Sequence, residues 1–509
     1  MVQRHAIRFL ALAAIALAAT TLRADDRALA SGQWPHYSGD NGARKYSPLD
    51  RIRRDNVAGL RIAWRRPQLD TSLLAGKPAP QLSNNFRSTP IMVNGVMYAS
   101  NGVGLAEAFD PGSGKTIWVQ DPGADGLRGT SNRGVAYWGE GAEARIITFR
   151  NRYLYALDPK TGKPIAGFGK DGAVDLHEGL GPLSRGYRWN SAPLVARDVI
   201  VMGSAMVDQD SATKVEGDPG DVRAYDVRTG QLRWTFHVVP QEGDPALKTW
   251  KGDSWRYTGA GNVWSLMSAD DELGYVYLPT TSMTNDMYGG HRLGDTLYAT
   301  SIVCVDAATG KKVWHYQTVH HDLFDYDNPA APILVDITVD GKRIKAVAQV
   351  TKQSFTYVLD RVTGKPVWPI EERPVPASTV PGEQASPTQP FPTRPPAFDR
   401  QGITENDLID FTPELRAEAE AILENYTYGP LFTAPTETIE GGHRGTIILP
   451  GAGGGANWSG AGVDPETGIL YVPSSDSPNA PLITTLESNE SNFNYLRLSN
   501  QAVRGPRGL

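Results

Sequence analysis

The decapeptide VDAATGKKVW, residues 305–314, recurs as FDPGSGKTIW at 109–118, YDVRTGQLRW at 225–234 and LDRVTGKPVW at 359–368. Weaker copies are LDPKTGKPIAGF at 157–168 and VDPETGILYV, whose aspartate is Asp464. The shared form is apolar-Asp-x-x-Thr-Gly-x-x-x-Trp. It predicts a β-hairpin with a tight turn. The aspartate caps the turn amides, the glycine takes a positive φ, and the tryptophan opens the outgoing strand. The copies stand about 50 to 100 residues apart, so insertions of varied length lie between them. Repeats of this size, each with one turn and one packing tryptophan, predict an all-β propeller in which the tryptophans dock between neighbouring blades. Unrelated hairpins in a sandwich are the competing arrangement.

Composition agrees with many turns and short strands. The 509 residues include 53 glycines, 37 prolines and 12 tryptophans, with 40% hydrophobic and 21% charged residues. A net charge of -6 and the lack of a basic stripe argue against a nucleic-acid partner. The single cysteine, Cys304 in TSIVCVDAATG, alternates with apolar residues and reads as a buried, inert thiol. No C-x-x-C-H haem attachment is present. At the N-terminus, Arg4 and Arg8 precede an apolar run from Phe9 to Ala19, then small residues and an acidic start. This pattern predicts a signal peptide over residues 1–24, and a mature propeller domain over 25–509. A membrane anchor is the alternative, but the run is short for a span. No later segment is long and apolar enough to cross a bilayer, so a soluble or peripheral protein outside the cytoplasm is expected. Residues 371–430 read as an insertion, a proline-rich extended loop followed by a helix over 412–426 with Thr412 as N-cap and Pro413 in the first position.

One loop stands out chemically. HHDLFDYDNPAAP, residues 320–332, places Asp322, Asp325 and Asp327 within six positions after the strand-like run KKVWHYQTV. Such like charges need a cation, a proton-transfer role or a capping duty to answer for each.

The repeat, the opening QWPHYSGDNGARKYSPLDRI (33–52) and TVHHDLFDYDNPAAP (318–332) together resemble the quinoprotein dehydrogenases. These are periplasmic propellers that bind pyrroloquinoline quinone (PQQ) and a divalent cation, and the resemblance is nearest to the glucose and quinate branch. It runs from about Trp34 to the C-terminus. It implies an eight-bladed propeller; about six blades can be counted here, and the stop at NQAVRGPRGL leads us to expect a partial ring.

The resemblance also implies residue roles. Asp325 becomes the base that takes the hydroxyl proton, beside a metal-bound quinone. Asp327, at the spacing of a second metal-binding aspartate in lanthanide-dependent relatives, is a metal candidate with Asp325. Asp322 and His321 hold the loop. Arg133 in SNRGVAYW (131–138) pairs with a PQQ carboxylate, and Trp264 in GNVWSLMSADDELGYVYLP (261–279) floors the quinone. Lys352 in QVTKQSFTYVLD (349–360) stands near the quinone oxygens and counts as both catalytic and cofactor-binding. Ser191 and Trp458, the latter in GGGANWSGAGVD (453–464), are further cofactor candidates. Two metal positions depart from the Glu and Asn of the soluble alcohol dehydrogenases, being Asp208 in GSAMVDQD and Ser282 in LPTTSMTND. The cation is expected to be Ca2+ or another divalent or lanthanide ion. Leu127 and Arg128 hold the place of a vicinal disulfide in those alcohol dehydrogenases.

The implied function is a periplasmic PQQ-dependent oxidoreductase acting on a sugar, polyol or cyclic alcohol. Its electrons pass to a separate quinone or cytochrome c. The competing class is a non-catalytic propeller scaffold, or a truncated inactive homologue.

Overall fold

A computed structural model describes residues 24–508 apart from 75, 77, 79, 81, 83–85, 131, 182–185, 207–212 and 488. Nearly all of the signal-peptide reading therefore lies outside the described residues; Ala24 opens the short helix α1 (Ala24–Ala30).

The chain is all-β with few helices. Four sheets have four antiparallel strands each: β1–β4 (Ile91–Val93, Val96–Ser100, Ala106–Phe109, Thr116–Val119), β5–β8 (Ala136–Trp138, Arg145–Arg150, Tyr153–Leu157, Ala173–Asp175), β9–β12 (Leu194–Ala196, Val199–Met202, Val222–Asp226, Leu232–Phe236) and β13–β16 (Ser268–Asp270, Tyr275–Pro279, Ser301–Asp306, Lys312–Gln317). A three-stranded sheet follows, β17–β19 (Ile333–Val339, Lys342–Val350, Thr356–Asp360). Three two-stranded pairs complete the list: β20–β21 (Ile370–Pro374, Thr388–Pro392), β22–β23 (Gly462–Asp464, Ile469–Tyr471) and β24–β25 (Asn479–Thr484, Leu496–Ala502).

The repeated turn is built as its residues dictate. In the strongest copy Asp306 Oδ1 accepts Thr309 N at 2.9 Å and Thr309 Oγ1 at 2.7 Å, while Gly310 N donates to Asp306 O at 2.8 Å. Gly310 has φ +69°, and an added Cβ would lie 2.6 Å from the Trp234 ring. Three of the repeat tryptophans dock on the next sheet's turn. Trp118, Trp234 and Trp314 donate Nε1–H to the carbonyls of Pro159, Ala307 and Arg361 at 2.9, 2.8 and 3.2 Å. The repeat thus makes a hydrogen bond and an apolar contact in one stroke, and the sheets pack as propeller blades.

Three particulars differ from the sequence reading. First, the two copies reading Gly-Lys-Pro form no outgoing strand at the repeat; Pro164 and Pro366 make only isolated bridges to Leu157 and Leu359. Proline has no N–H to give the ladder. Phe168 then takes the docking place, fully buried against the Gly230 turn. Second, Trp64, outside every copy, docks like the others, with Nε1 donating to Pro111 O at 2.9 Å. Third, the proline-rich stretch is not simply an extended loop, because β20 and β21 pair as a hairpin. The helix after it, α2 (Pro413–Leu423), has Thr412 Oγ1 accepting Leu415 N at 3.3 Å and Pro413 in its first turn.

The 371–430 segment reaches the aspartate loop. Glu383 Oε1 lies 2.6 Å from His321 Nε2, and Gln389 Oε1 accepts His320 N at 2.8 Å. Cys304 is fully buried in β15, and burial pushes its thiol well above the usual range, as expected for an inert thiol.

Candidate functional site

Residues 318–332 connect β16 to β17 and turn inward, with Asp322, Asp325 and Asp327 all buried. The three carboxylates divide their duties. Asp322 caps: Oδ1 accepts Phe324 N at 2.9 Å, and Oδ2 accepts Tyr326 N at 3.0 Å, Thr300 Oγ1 at 3.1 Å and the Ser282 hydroxyl at 2.5 Å. Burial raises its carboxyl above the ordinary value against those hydrogen bonds. His321 anchors the same loop through Nδ1, 2.7 Å from Gly294 O. Asp325 takes left-handed backbone at φ +56°.

Asp325 and Asp327 turn toward one cation. Lys352 Nζ, on the turn between β18 and β19, donates to Asp325 Oδ1 and Asp325 O at 2.7 Å each, and to Asp327 Oδ2 at 3.2 Å. Asp327 is further held by Trp264 Nε1 at 3.0 Å and by Ser282 N at 2.9 Å. Arg497 on β25, almost fully buried, brings Nη1 within 3.6 Å of Asp325 Oδ2 and Nη2 within 3.5 Å of Asp286 Oδ2. Burial raises the Asp325 carboxyl despite the pull of Lys352. For Lys352 burial acts downward, but the two carboxylates outweigh it and hold the ammonium above its ordinary value.

A second cation lies along the aromatic wall. Arg133 is buried, donates to Trp264 O, and sits 5.0 Å from the centroids of both the Trp264 and Trp458 rings. It has no carboxylate partner among the described residues. Burial pulls its guanidinium down to about 10. Trp458 Nε1 is buried without a hydrogen-bond partner.

Trp264, Asp325, Asp327 and Lys352 are among the residues lining a cavity of about 860 Å3. Sites for small molecules typically span roughly 300–1,000 Å3. The fold therefore brings together Asp325, Asp327, Lys352, Trp264, Arg133 and Trp458 from widely separated segments. Ser282 contributes its backbone N–H to Asp327, while its hydroxyl is given to Asp322. Ser191 Oγ donates to Ser265 O at 2.6 Å, beside Trp264, and its neighbour Asn190 lines the cavity. Asp208 lies outside the described residues. Arg497 was invisible in sequence, because it sits in an ordinary alternating strand. Arg188, Trp189 and Asn190 also line the cavity, and the polar–aromatic run YRWN (187–190) was their only trace.

Comparison with known proteins places the chain. Residues 34–504 match the family model of the PQQ glucose/ethanol/alcohol dehydrogenase β-propeller domain. The chain is 34% identical over 466 residues to the quinate/shikimate dehydrogenase (quinone) of Acinetobacter baylyi, covering 86% of this chain and 56% of that protein. It is 32% identical over 464 residues to the quinoprotein glucose dehydrogenase of Escherichia coli, covering 87% of this chain and 56% of that protein. Among solved structures, a quinohemoprotein alcohol dehydrogenase from Pseudomonas putida superposes with a TM-score of 0.66 at 26% identity, covering 94% of this chain and 62% of that one. The chain thus spans little more than half the length of these curated relatives. With its docked-tryptophan sheets and its aspartate–lysine centre, the chain belongs to the PQQ-dependent dehydrogenase β-propeller family.

Proposed function

We propose that this protein oxidises a sugar, polyol or cyclic alcohol with PQQ as cofactor and a divalent or lanthanide cation, calcium in the simplest case. The observation that carries the reading is the buried Asp325–Lys352–Asp327 cluster opening on the 860 Å3 cavity.

The residues suit the cofactor's chemistry. A flat, multiply anionic ring system matches the Trp264 indole and the buried Arg133 guanidinium, which has no carboxylate partner among the described residues. For the cation, Asp325 and Asp327 are oxygen donors of the right type, with Ser282 and Asp208 as further candidates. Among the described residues no group of three or more His, Cys, Asp or Glu is gathered as a metal cluster. Oxygens of the cofactor would be needed to complete the shell.

When bound, PQQ supplies the two-electron acceptor for hydride leaving the carbinol carbon, with the cation polarising the hydroxyl. Asp325 takes the hydroxyl proton at a carboxylate oxygen, so an alcohol becomes a carbonyl. Lys352 holds that carboxylate in place and favours the negative charge that develops beside it. Trp264 fixes the floor and, through Nε1, the orientation of Asp327.

A propeller of the eight-bladed type, a signal peptide over residues 1–24, a periplasmic or peripheral location and a separate quinone or cytochrome c acceptor belong to the same proposal. They rest on the family likeness and the N-terminal sequence pattern. Among the described residues no helix is long and apolar enough to cross a membrane. The test is reconstitution with PQQ and calcium, then dye-linked oxidation of a panel of alcohols and aldoses. No turnover of any of them, with PQQ bound, would sink the reading.

A further inference from the structure

The opening motif QWPHYSGDNGARKYSPLDRI (33–52) takes no part in the chemistry of Asp325 and Lys352, yet the fold gives it a course of its own. Its first half passes the first strands of five sheets in chain order. Trp34 pairs with Met92 of β1, N to O at 2.8 Å in both directions. Asn41 donates through Nδ2 to Val195 O of β9 at 3.0 Å, and its carbonyl accepts Ala269 N of β13 at 2.8 Å. Gly42 O accepts Leu334 N of β17 at 2.8 Å, and Arg44 O accepts Val463 N of β22 at 2.9 Å. This course delivers Lys45, half-buried, onto the turn that carries Trp458. Lys45 Nζ donates to Ser459 O at 2.5 Å and to Ala461 O at 2.8 Å. Among the described residues no carboxylate pairs with it, and burial pulls its ammonium down to about 8.

The two indoles beside Arg133 are held differently. Trp264 is pinned by its own N–H, which Asp327 accepts at 3.0 Å. Trp458 Nε1 is buried without a hydrogen-bond partner, and its ring stands beside the cations Arg133 and Arg87, at 5.0 and 5.2 Å. The place of that ring is therefore set by the backbone that bears it. Asn457 closes the turn from within, its Oδ1 accepting Trp458 N at 2.6 Å and its carbonyl accepting Gly460 N at 2.8 Å. From outside, Lys45 holds the carbonyls on either side of Gly460.

We propose that Lys45 is a positioning residue: by holding Ser459 O and Ala461 O it fixes the turn that sets where the Trp458 indole stands, and so shapes the cofactor wall. The proposal rests on the dehydrogenase reading above and deepens it. Lysine is suited to the task because its ammonium carries three N–H donors and no acceptor, so one head group serves two carbonyls at once. Ser459 and Ala461 follow Trp458 closely in sequence, so slack at their carbonyls passes straight to the indole. Arg44 O keeps its bond to Val463 N when only the Lys45 side chain is changed, so the motif stays in place and the turn alone is freed.

The experiment uses the full chain and has two arms. In the first, PQQ is titrated calorimetrically in the presence of calcium. Lys45→Met should weaken PQQ binding about 10-fold, the scale of losing hydrogen bonds from a charged donor. Lys45→Arg, which keeps the charge and several donors, should bring it back to within about threefold of the natural protein. In a Trp458→Ala background the Lys45→Met step should change PQQ affinity less than about twofold, because the effect acts through the indole and the pair is coupled. The second arm needs no cofactor. Fluorine NMR of protein labelled with fluorotryptophan, with the Trp458 line assigned by its loss in Trp458→Phe, should show that line shifted or broadened in Lys45→Met and restored in Lys45→Arg. If Lys45→Met does not fold, Lys45→Gln, whose amide can serve one of the two carbonyls, carries both arms with a smaller effect. Unchanged PQQ affinity, a loss of equal size with and without Trp458, or a Trp458 line that stays where it was would each overturn the assignment. The two readings fail differently. A natural protein that binds no PQQ sinks the dehydrogenase reading, while the Trp458 line still decides the clamp. PQQ binding and turnover with an unmoved Trp458 line remove the clamp and leave the dehydrogenase standing.

Discussion

At the scale of single residues, three aspartates in one loop carry different work because each meets different partners. Asp322 spends its oxygens on Phe324 N, Tyr326 N, Thr300 and Ser282, so it shapes the loop, and the 860 Å3 cavity is lined by its neighbours Asp325 and Asp327. Asp325 keeps an ammonium as its main partner and lines the cavity. Asp325→Asn should therefore leave folding and PQQ binding in place and lower turnover by about 10^2 to 10^4, the usual worth of a general base. Dye-reduction rates set beside PQQ titration check this, and near-normal rates would remove Asp325 from the chemistry. Trp264 has two jobs, a face beside Arg133 and an N–H to Asp327. Trp264→Ala should weaken PQQ binding by roughly 1–3 kcal/mol, the scale of a lost aromatic contact. Trp264→Phe should keep much of the affinity while losing the hold on Asp327. Unchanged PQQ affinity in the alanine variant would make Trp264 ordinary core.

At the scale of elements, the blade-to-blade joint is the unit that matters. Its glycine is required twice over, by backbone sign and by contact. Gly364 has φ +72°, and a Cβ there would meet the Trp314 ring at 2.6 Å. Gly364→Ala should cost more than the roughly 1–2 kcal/mol of left-handed backbone alone, because the ring must also move. Denaturant unfolding with fluorescence of the docked tryptophans measures both effects. A loss below about 1 kcal/mol would mean that the joint is looser than it looks. The element scale also explains where strands failed. Pro164 and Pro366 follow the turn lysine and remove the donor that the outgoing strand needs. The docking contact survives through Phe168, since packing needs an apolar ring and no backbone donor.

At the scale of the whole molecule, the 371–430 segment and the site are mechanically joined, and desolvated titratable groups couple that joint to pH. Glu383 holds His321, and His321 abuts the segment of half-buried His291 and buried Arg292. Burial, reinforced by Arg292, holds the His291 imidazole down to about 3. An unfolded histidine titrates near 6.5, so between those values the unfolded chain binds the extra proton. The stability that His291 contributes is complete above about pH 6.5 and is lost as pH falls toward 3. The stability difference between the natural protein and His291→Gln should therefore narrow on acidification, by at most about 1.4 kcal/mol per pH unit. Urea unfolding of both proteins across the range from about pH 7.5 to 4.5 tests it. A gap independent of pH would show that His291 is solvated and keeps its ordinary titration in the folded state.

The sequence by itself determined the joint and the family. A turn whose aspartate, threonine and glycine must stand at set spacings, followed by one tryptophan, leaves its mark in linear order because the interactions within the turn are local. The same holds for the Thr412–Pro413 start of α2. Trp64 escaped because no Asp-x-x-Thr-Gly turn precedes it in the repeat's form. The β20–β21 hairpin escaped because prolines conceal a ladder that forms along their carbonyls. Only the tertiary structure decided how the aspartates divide their duties. The nearness of Lys352 to Asp325 and Asp327, of Trp264 to Asp327, and of Arg497 to Asp325 spans separations of up to 172 residues, by their numbering. Burial and charge pairing between such distant segments are set by how the sheets stack about one another. Local preference along the chain carries no record of that.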